Sequence, residues 1–237
     1  IKVIVITAYN DGGKTRDRAA GLTLARPFSI ARTRLAGGRR ILGILYARVG
    51  RGTELMSRSP RGRWTVLGPL GRGFPPAGRG PALLVGGGRG TAPLVLLAEE
   101  LESGRRDIHF LVGARGAADF AGPAEMGARL AQTRTWEASE DGSRGHRGRV
   151  LELFDREPAL SAALAAPGAT LYACGPHGLL AAVHHLGARH GGQAHGFAGS
   201  RHHEQAALAK RDDDELQAEG GDQPVGARFH VLRSAQV

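Results

Sequence analysis

Residues 82–101, ALLVGGGRGTAPLVLLAEEL, contain an apolar stretch, a glycine-rich turn and a stretch of helical spacing. Ala82–Gly86 is a continuous apolar run of strand length, which is typical of a strand buried on both faces of a sheet. From Thr91 onwards the apolar residues recur at helical spacing, and Pro93 lies in the first turn, where its missing N–H is tolerated. These residues therefore predict a buried strand, a glycine loop and a helix in direct succession.

Strand and helix patterns continue to alternate after this unit. Apolar runs predict strands over residues 108–112 and 170–173, and the spacing of apolar residues predicts helices over residues 124–132, 158–165 and 179–186. Strands that alternate with helices indicate a parallel sheet whose connections are crossover helices.

The residues on either side of this region have different patterns. Residues 24–73 alternate short apolar runs with glycine-rich turns, which indicates a small antiparallel β-barrel or sandwich, and residues 1–10 are rich in β-branched residues and predict a strand. The predicted fold class is β followed by α/β, with an N-terminal β domain over residues 1–78 and a nucleotide-binding domain over residues 79–190. Residues 191–237 are polar, and we expect them to form an irregular tail outside the folded core.

The composition fits a globular chain of one or two domains, with 237 residues of which 41% are hydrophobic and 23% charged. No apolar run approaches the roughly 18 residues of a membrane span. Ile1–Ala8 lacks the features of a signal peptide, so we expect a cytoplasmic protein without membrane contact. The single cysteine, Cys174, excludes an internal disulfide and any metal site built from several cysteines of this chain, and no metal site is predicted.

The net charge of +10 suggests an anionic partner, which is either nucleic acid or the phosphates of a cofactor. The arginines are scattered rather than clustered in blocks, and aromatic residues make up only 5% of the chain, so stacking platforms for single strands are scarce. We therefore expect no nucleic-acid partner and keep a basic nucleic-acid-binding protein as the alternative from a different functional class.

The stretch Arg26-Pro27-Phe28-Ser29-Ile30 combines a cation with a hydroxyl in a predicted strand. We expect Arg26 and Ser29 to share one face across an irregularity at Pro27. An arginine fork can bind a pyrophosphate, and a serine hydroxyl can hydrogen-bond the edge of a flavin ring. An edge strand with exposed polar residues is the alternative interpretation.

Two glycine-rich loops are candidates for phosphate binding. Tyr46–Thr53 (YARVGRGT) predicts a strand that enters a Gly-x-Gly-Thr turn, where backbone N–H groups can approach a phosphate closely. Gly86–Thr91 joins the predicted strand to the start of the helix, and a helix N-terminus attracts anions. Thr91 stands where the usual dinucleotide fingerprint has its third glycine. A plain turn is the alternative for each loop.

A further motif, Tyr172-Ala173-Cys174-Gly175-Pro176, ends the last predicted strand. It places a small thiol at the edge where parallel sheets bind ligands. A buried structural cysteine is the alternative.

Taken together and in this order, the motifs resemble those of the ferredoxin reductase-like flavoproteins. Within that group, their residues are most similar to those of the electron-transfer subunit of dihydroorotate dehydrogenase. The resemblance covers roughly residues 24–188 and includes two further stretches, Gly68–Phe74 (GPLGRGF) and Glu140–Ser143 (EDGS) with Gly145 and Gly148.

This resemblance implies an FAD-binding β-barrel followed by an NAD(P)-binding domain, with FAD and NAD(H) as cofactors. In the family, an FMN-containing catalytic subunit oxidises dihydroorotate in pyrimidine biosynthesis, and this chain would pass electrons between that subunit and NAD(H) in a hetero-oligomer. A reductase component of another ferredoxin- or hydrogenase-type system is the alternative.

The resemblance also implies the site residues. The FAD site would comprise Arg26, Pro27, Phe28, Ser29, Leu45, Tyr46, Ala47, Gly52 and Thr53. The nucleotide site would comprise Gly87, Gly88, Gly90, Thr91, Asp141, Gly175 and Pro176. Ser29 and Cys174 are the predicted catalytic residues, Ser29 at the flavin edge and Cys174 near the nicotinamide, where hydride passes to flavin N5. Arg115 and Arg144 are candidates for a 2′-phosphate, but Asp141 favours an unphosphorylated ribose, so NADH is the expected nucleotide.

The family also carries a [2Fe–2S] cluster on four C-terminal cysteines, and here the corresponding region after His190 contains no cysteine. We therefore expect this chain to lack the cluster and the onward relay of electrons to be impaired. A truncated or frame-shifted reading and a real loss of the cluster both account for this departure.

Overall fold

The computed structural model describes residues 3–8, 26–58, 64–71, 73–75, 78–190, 193–198 and 228–233. The strands are β1 (Val3–Ala8), β2 (Arg26–Ala36), β3 (Arg39–Tyr46), β4 (Trp64–Leu70), β5 (Ala82–Gly87), β6 (Ile108–Ala114), β7 (Thr133–Ser139), β8 (His146–Arg147), β9 (Thr170–Gly175), β10 (Gln193–Ala198) and β11 (Arg228–Arg233). The α-helices are α1 (Arg51–Arg58), α2 (Thr91–Glu102), α3 (Leu153–Arg156), α4 (Pro158–Ala165) and α5 (His177–Arg189).

The strands form an antiparallel sheet and a parallel sheet within these residues. The antiparallel sheet has five strands in the order β11-β3-β2-β1-β4, and the parallel sheet has six in the order β10-β9-β5-β6-β7-β8. The predicted fold class, an antiparallel β domain followed by an α/β domain with a parallel sheet, is confirmed. The domain boundaries themselves stay a prediction.

The parallel sheet has a hydrophobic core on each of its faces. Helix α2 covers one face with Leu94 and Val95, and α4 and α5 cover the other with Leu160 and Val183. The central strand β5 is buried along nearly its whole length, which explains its uninterrupted apolar sequence.

The β domain contains a helix that its sequence did not predict. The glycine turn after β3 continues into α1, and the N–H of Glu54 donates to the carbonyl of Gly50 at 2.9 Å. Glu54 and Arg58, which are one helical turn apart, form a salt bridge of 2.9 Å that stabilises the helix. The side chain of Met56 is buried in the core. A helix of eight residues is too short to show a clear apolar stripe.

The expectation that residues 191–237 lie outside the folded core is wrong for two stretches. Strand β10 pairs in parallel with β9 from Gln193↔Thr170 to Ala198↔Gly175. Strand β11 pairs antiparallel with β3 from Arg228↔Tyr46 to Arg233↔Ile41. Both are edge strands, which need fewer apolar residues than strands in the middle of a sheet.

The predicted helix over residues 124–132 is also absent. Residues 123–127 form a turn in which the N–H of Ala128 donates to the carbonyl of Pro123 at 2.9 Å. Gly127 adopts a left-handed φ of 64°, which ends the turn before a helix can continue.

Helix α2 packs against both sheets. Ala31 of β2 and Leu45 of β3 belong to the same buried cluster as Leu94 of α2. Arg32 of β2 pairs with Glu99 of α2 at 3.5 Å, and its guanidinium also donates to backbone carbonyls of the 123–127 turn. These contacts hold the α2-covered face of the parallel sheet against the β domain. Within the described residues, no helix is both long and apolar enough to cross a bilayer.

Candidate functional site

The strand order of the parallel sheet creates a crevice between the carboxyl ends of β5 and β9. From β5 the chain winds outwards through β6, β7 and β8, and it then returns to place β9 and β10 on the other side of β5. The helices that follow β5 and β9 therefore cover opposite faces of the sheet. Open α/β sheets bind ligands at such a point. Two predicted nucleotide-binding stretches, Gly87–Thr91 and Gly175–Pro176, meet there.

Glycine is required on the β5 side of the crevice because the chains approach closely. A Cβ atom at Gly90 would lie 2.3 Å from the carbonyl oxygen of Cys174, and one at Gly87 would lie 3.0 Å from Cδ of Pro176. Gly88 has a left-handed φ of 52° and open space where a Cβ would be. The loop therefore presents backbone to the crevice, as a phosphate site requires.

The helix starts beside the crevice leave polar groups for a ligand. No side chain among the described residues caps the N-terminus of α2 or of α5. The first N–H groups of α5 can therefore bind an anion, whereas the N–H of Thr91 at the start of α2 already donates to the carbonyls of Gly88 and Arg89. Thr91, the first residue of α2, is completely buried, and its hydroxyl has no hydrogen-bond partner in the described part of the chain. Its Oγ1 occupies the space left free by Gly86, where a Cβ would lie only 2.6 Å away.

Cys174 lies on β9 directly beside Gly86 of β5 and is only 3% exposed. Burial raises the pKa of its thiol to about 11, so the group is protonated at neutral pH. A neutral, buried thiol is a poor nucleophile. If Cys174 lies near a nicotinamide, its role is therefore van der Waals contact through a small polarizable side chain, and not nucleophilic attack.

The predicted flavin residues of β2 and β3 lie in the β domain. Leu45, Tyr46 and Ala47 are buried at the end of β3, and the ring of Phe28 meets that of Tyr46 edge to face at 6.2 Å. Ser29 is half-buried, as is Pro27.

The predicted irregularity at Pro27 is not present. Strand β2 pairs with β1 without a register shift from Ser29↔Val3 to Arg26↔Ile6. The expectation of a shared face for Arg26 and Ser29 depended on that irregularity, and in a regular strand residues three apart point to opposite faces. The side chain of Arg26 lies outside the described residues.

The Gly-x-Gly-Thr motif forms the start of α1. The hydroxyl of Thr53 accepts from the N–H of Val49 at 3.0 Å and donates to the carbonyl of Gly50 at 3.0 Å. The Thr53 hydroxyl therefore uses its proton within the turn and cannot donate it to a phosphate. A phosphate here would meet chiefly the backbone N–H groups around Gly52 in the first helical turn.

The two predicted halves of the site meet in one buried cluster. Leu45, predicted to line the flavin, belongs to the same hydrophobic cluster as Cys174, predicted to lie near the nicotinamide. Ala31 and Ala92 also belong to this cluster. The β domain and the parallel-sheet domain thus share one hydrophobic core, and whether their predicted cofactor residues form one site stays a prediction.

Asp141 lies in the loop after β7 and is bound within that loop. Its Oδ1 accepts from the N–H of Ser143 at 2.9 Å and from the Ser143 hydroxyl at 2.6 Å, and these two bonds lower the pKa of the Asp141 carboxyl. The Ser143 hydroxyl also accepts from the N–H of Ala117 at 2.8 Å. Asp141 therefore helps to join the loop after β7 to the loop after β6, and ribose binding by Asp141 stays a prediction.

Arg144 is fully engaged by protein groups. It donates to both carboxylate oxygens of Glu137, at 2.8 and 2.6 Å, pairs with Glu125, and lies 4.4 Å above the ring of Phe120. The hydrogen bonds to Glu137 are the main reason that its pKa is raised. Arg144 is therefore not available for a 2′-phosphate. No sequence pattern predicted this cluster, because its members come from separate loops and a strand.

Arg115, the other candidate for a 2′-phosphate, directly follows β6. Its side chain is 83% exposed, and its Nε lies 3.2 Å from Oδ2 of Asp119. An exposed pair of this kind contributes little stability.

The residues of this chain do not fit the [2Fe–2S] cluster that the resemblance implies. Such a cluster needs four thiolates, or two thiolates with two histidines. The chain offers one thiol, Cys174, and it is buried in the parallel sheet. Among the described residues, no group of His, Cys, Asp and Glu side chains could hold a metal ion.

The chain is similar in sequence to known oxidoreductases. Residues 84–185 match the oxidoreductase NAD-binding domain family. The chain is 39% identical over 170 residues to the dihydroorotate dehydrogenase B (NAD(+)) electron transfer subunit of Geobacillus thermodenitrificans, and the match covers 70% of this chain and 61% of that protein. It is 34% identical over 155 residues to the subunit of the same name from Desulforamulus reducens, covering 65% of this chain and 56% of that protein. The chain thus spans less than two thirds of the length of these relatives.

Solved structures show the same fold. An NADH-dependent reduced ferredoxin-NADP oxidoreductase superposes with a TM-score of 0.60 at 25% identity, covering 81% of this chain and 62% of that one. The ferredoxin reductase of carbazole 1,9a-dioxygenase superposes with a TM-score of 0.61 at 18% identity, covering 83% and 59%. Residues 84–185 thus match an oxidoreductase NAD-binding domain, in a chain that has the fold of the ferredoxin reductases.

Proposed function

We propose that this chain is the FAD-containing electron-transfer subunit of a dihydroorotate-oxidising enzyme, working with NAD(H) and with an FMN-containing catalytic subunit. The observation that carries the proposal is the shared buried cluster of Leu45 and Cys174, beside a glycine-lined crevice in an NAD-binding domain. The names of the relatives supply the reaction and imply a partner subunit, and FMN in that partner is part of the proposal. A cytoplasmic location stays a prediction.

Each part of the proposed site has a physical role. Gly87, Gly88 and Gly90 would bring backbone N–H groups to the nucleotide phosphates, and the buried side chain of Thr91 packs against Gly86 behind this loop. The α2–β2 packing would fix the relative position of the two cofactor sites. FAD, when bound, would supply the chemistry that converts a two-electron hydride transfer into electron flow to a partner.

On the flavin side, we assign the pyrophosphate to Arg26 and to the start of α1 at Gly52 and Thr53. Ser29, with Pro27 and Phe28 on the same strand, and Leu45, Tyr46 and Ala47 on β3 would flank the ring. Gly175 and Pro176 would close the nucleotide side at the start of α5. Because the cluster ligands are missing, we derive no onward step through iron and sulfur.

The direct test is the flavin content of the purified chain and its reduction by NADH without oxygen. A yellow protein whose flavin absorbance is bleached by stoichiometric NADH is the expected result. A colourless protein that instead binds DNA in a salt-sensitive way would refute the proposal and favour the nucleic-acid-binding alternative. Bleaching without transfer to a dihydroorotate dehydrogenase subunit, but with transfer to a ferredoxin, would favour another reductase system.

The FAD assignment is tested by Arg26→Ala. Loss of a charge-assisted contact to the pyrophosphate is expected to weaken FAD binding roughly ten- to hundredfold. Arg189→Ala removes an exposed arginine at the end of α5 and is the matched control, with unchanged flavin affinity. Equal flavin retention in both variants would remove Arg26 from the site.

A further inference from the structure

The β2–β3 hairpin ends in an exposed basic tip. We call residues 34–40 (Arg34, Leu35, Ala36, Gly37, Gly38, Arg39 and Arg40) the basic hairpin tip. Ala36 pairs with Arg39, and the two glycines between them have left-handed φ values of 57° and 71°. Two consecutive left-handed residues make a tight two-residue turn that matches the twist of the strands. The tip is therefore a defined shape, and all seven of its residues are exposed.

The arginines of the tip differ from the arginine at its base. Arg32, two residues before the tip, pairs with Glu99 and with backbone carbonyls of the nucleotide-binding domain. Arg34, Arg39 and Arg40 make no ion pair and no side-chain hydrogen bond with any residue that the structure describes. The base of the hairpin is thus fixed, whereas three cations at its end have no partner among the described residues.

The sequence around the tip has no acid to neutralise these cations. Seven arginines lie between residues 26 and 51, and this stretch contains neither aspartate nor glutamate. Leu35 stands among them with 72% of its surface exposed, and it lies directly across the hairpin from Arg40. An exposed leucine beside several unpaired arginines suits a protein–protein interface, because arginine is enriched in interfaces and their buried centre is more apolar than the rest of the surface.

We propose that the basic hairpin tip is a docking surface for an acidic patch on the catalytic partner subunit, with Leu35 covered by an apolar part of that patch. The proposal rests on the electron-transfer function proposed above. Carboxylates on the partner would pair with the three arginines, and bidentate arginine–carboxylate pairs add geometric specificity to the attraction. A nucleic-acid site would instead need a longer stripe of cations that follows many phosphates.

The position of the tip fits a partner that does not block the proposed cofactor site. Strand β3 runs from the tip to Tyr46 on the flavin side, a distance of about 20 Å at the usual rise of a strand. A partner held at the tip can therefore cover the β domain and leave the crevice between β5 and β9 open to NADH.

The test is the binding of the full chain, loaded with FAD, to the purified dihydroorotate-oxidising subunit encoded in the same genome. The probe variant replaces Arg34, Arg39 and Arg40 with glutamine. We expect its association rate constant at low salt to fall roughly tenfold and its salt dependence to flatten, because steering by charge is lost. A second variant, Leu35→Ser, is expected to raise the dissociation rate constant roughly tenfold while association changes little.

The control removes the same charge elsewhere, by glutamine at Arg79, Arg147 and Arg189, which are exposed and remote in sequence from the tip. It should change the association rate constant by less than about twofold. Bleaching of the flavin by NADH should be unchanged in all variants, which shows that each one folds and keeps the proposed function.

Several outcomes would overturn the docking proposal. If the association rate constant falls equally in the probe and control variants, the effect is due to net charge alone. Loss of DNA binding, but not of subunit binding, would assign the tip to nucleic acid. A lower free energy of unfolding with unchanged partner binding would assign it to an internal contact, for example with the acidic run at 212–215. If the wild-type chain is reduced by NADH but does not bind the subunit, the proposed partner and the docking surface both fall.

Discussion

The replacement Gly90→Ala tests whether the close approach of α2 to β9 builds the nucleotide crevice. The added Cβ would lie 2.3 Å from the carbonyl oxygen of Cys174, 2.5 Å from its carbonyl carbon and 2.7 Å from Cα of Gly175. All three are backbone atoms, so no side-chain rotation can relieve the overlap. The end of β9 and the start of α2 must therefore separate by roughly 1 Å, which disturbs a packed core.

Overpacking of this kind costs about 1–3 kcal/mol, and we expect the upper end of that range because the backbone must move. The separation would also displace the loop that is proposed to hold the nucleotide phosphates. We therefore expect NADH affinity to fall at least tenfold, since a misplacement of about 1 Å at a binding loop has large effects. The free energy of unfolding in urea and the dissociation constant for NADH measure the two effects separately.

Gly178→Ala is the matched control, because Gly178 lies in the first turn of α5, on the other side of the same crevice. A Cβ there meets nothing within 4 Å, and the backbone is not left-handed. Alanine should therefore stabilise the helix by about 0.5–1 kcal/mol. If Gly90→Ala is as stable as the parent and binds NADH equally well, the reasoning from backbone overlap is refuted.

Three further predictions concern buried or clustered side chains. Arg144→Met should lower the free energy of unfolding by about 2 kcal/mol, since it leaves the half-buried carboxylate of Glu137 unpaired. Arg144→Lys should have an intermediate stability, because lysine keeps the charge but not the planar fork of the guanidinium. Equal urea midpoints for the parent and both variants would contradict this. Burial lowers the pKa of His109, whose Nδ1 accepts from the indole N–H of Trp136, so folding favours the neutral imidazole. The stability that this provides is complete above the unfolded pKa of 6.5, and it is lost as the pH falls towards the lower pKa of the folded state. Urea unfolding at several pH values should show this loss, and His109→Asn, which does not titrate, should show a smaller one. Because burial raises the pKa of the Cys174 thiol to about 11, iodoacetamide should label it only slowly near pH 8 until urea is added, and rapid labelling of the folded protein would contradict its placement.

Several features of the site could be predicted from the sequence because they depend on local chemistry. Ala82–Gly87 is apolar at every position before its final glycines, and a strand in the middle of a parallel sheet requires such a run. The glycines at 88 and 90 follow from a loop that must turn and approach another chain within a few residues. The single cysteine already excludes a four-cysteine cluster, and no structure is needed for that conclusion.

Other features depend on partners that are distant in the sequence, and only the tertiary structure decided them. Strands β10 and β11 are stabilised by pairing with β9 and β3, so their own residues need little apolar pattern. Arg144 gains its role from Glu125 and Phe120, which belong to a loop that follows a different strand. The expected shared face of Arg26 and Ser29 is a matter of strand register, and register is set by the pairing with β1.

The difference between the two groups has one physical cause. Backbone conformation and the periodicity of burial are imposed by neighbours a few residues away, so they leave a pattern in the sequence. Strand order, charge pairing and the close approach of Gly90 to Cys174 are imposed by segments that are dozens of residues apart, and their energies exist only after the chain has folded. The sequence therefore determined which segments could bind phosphates, and the strand order of the folded sheet determined that two of them meet at one crevice.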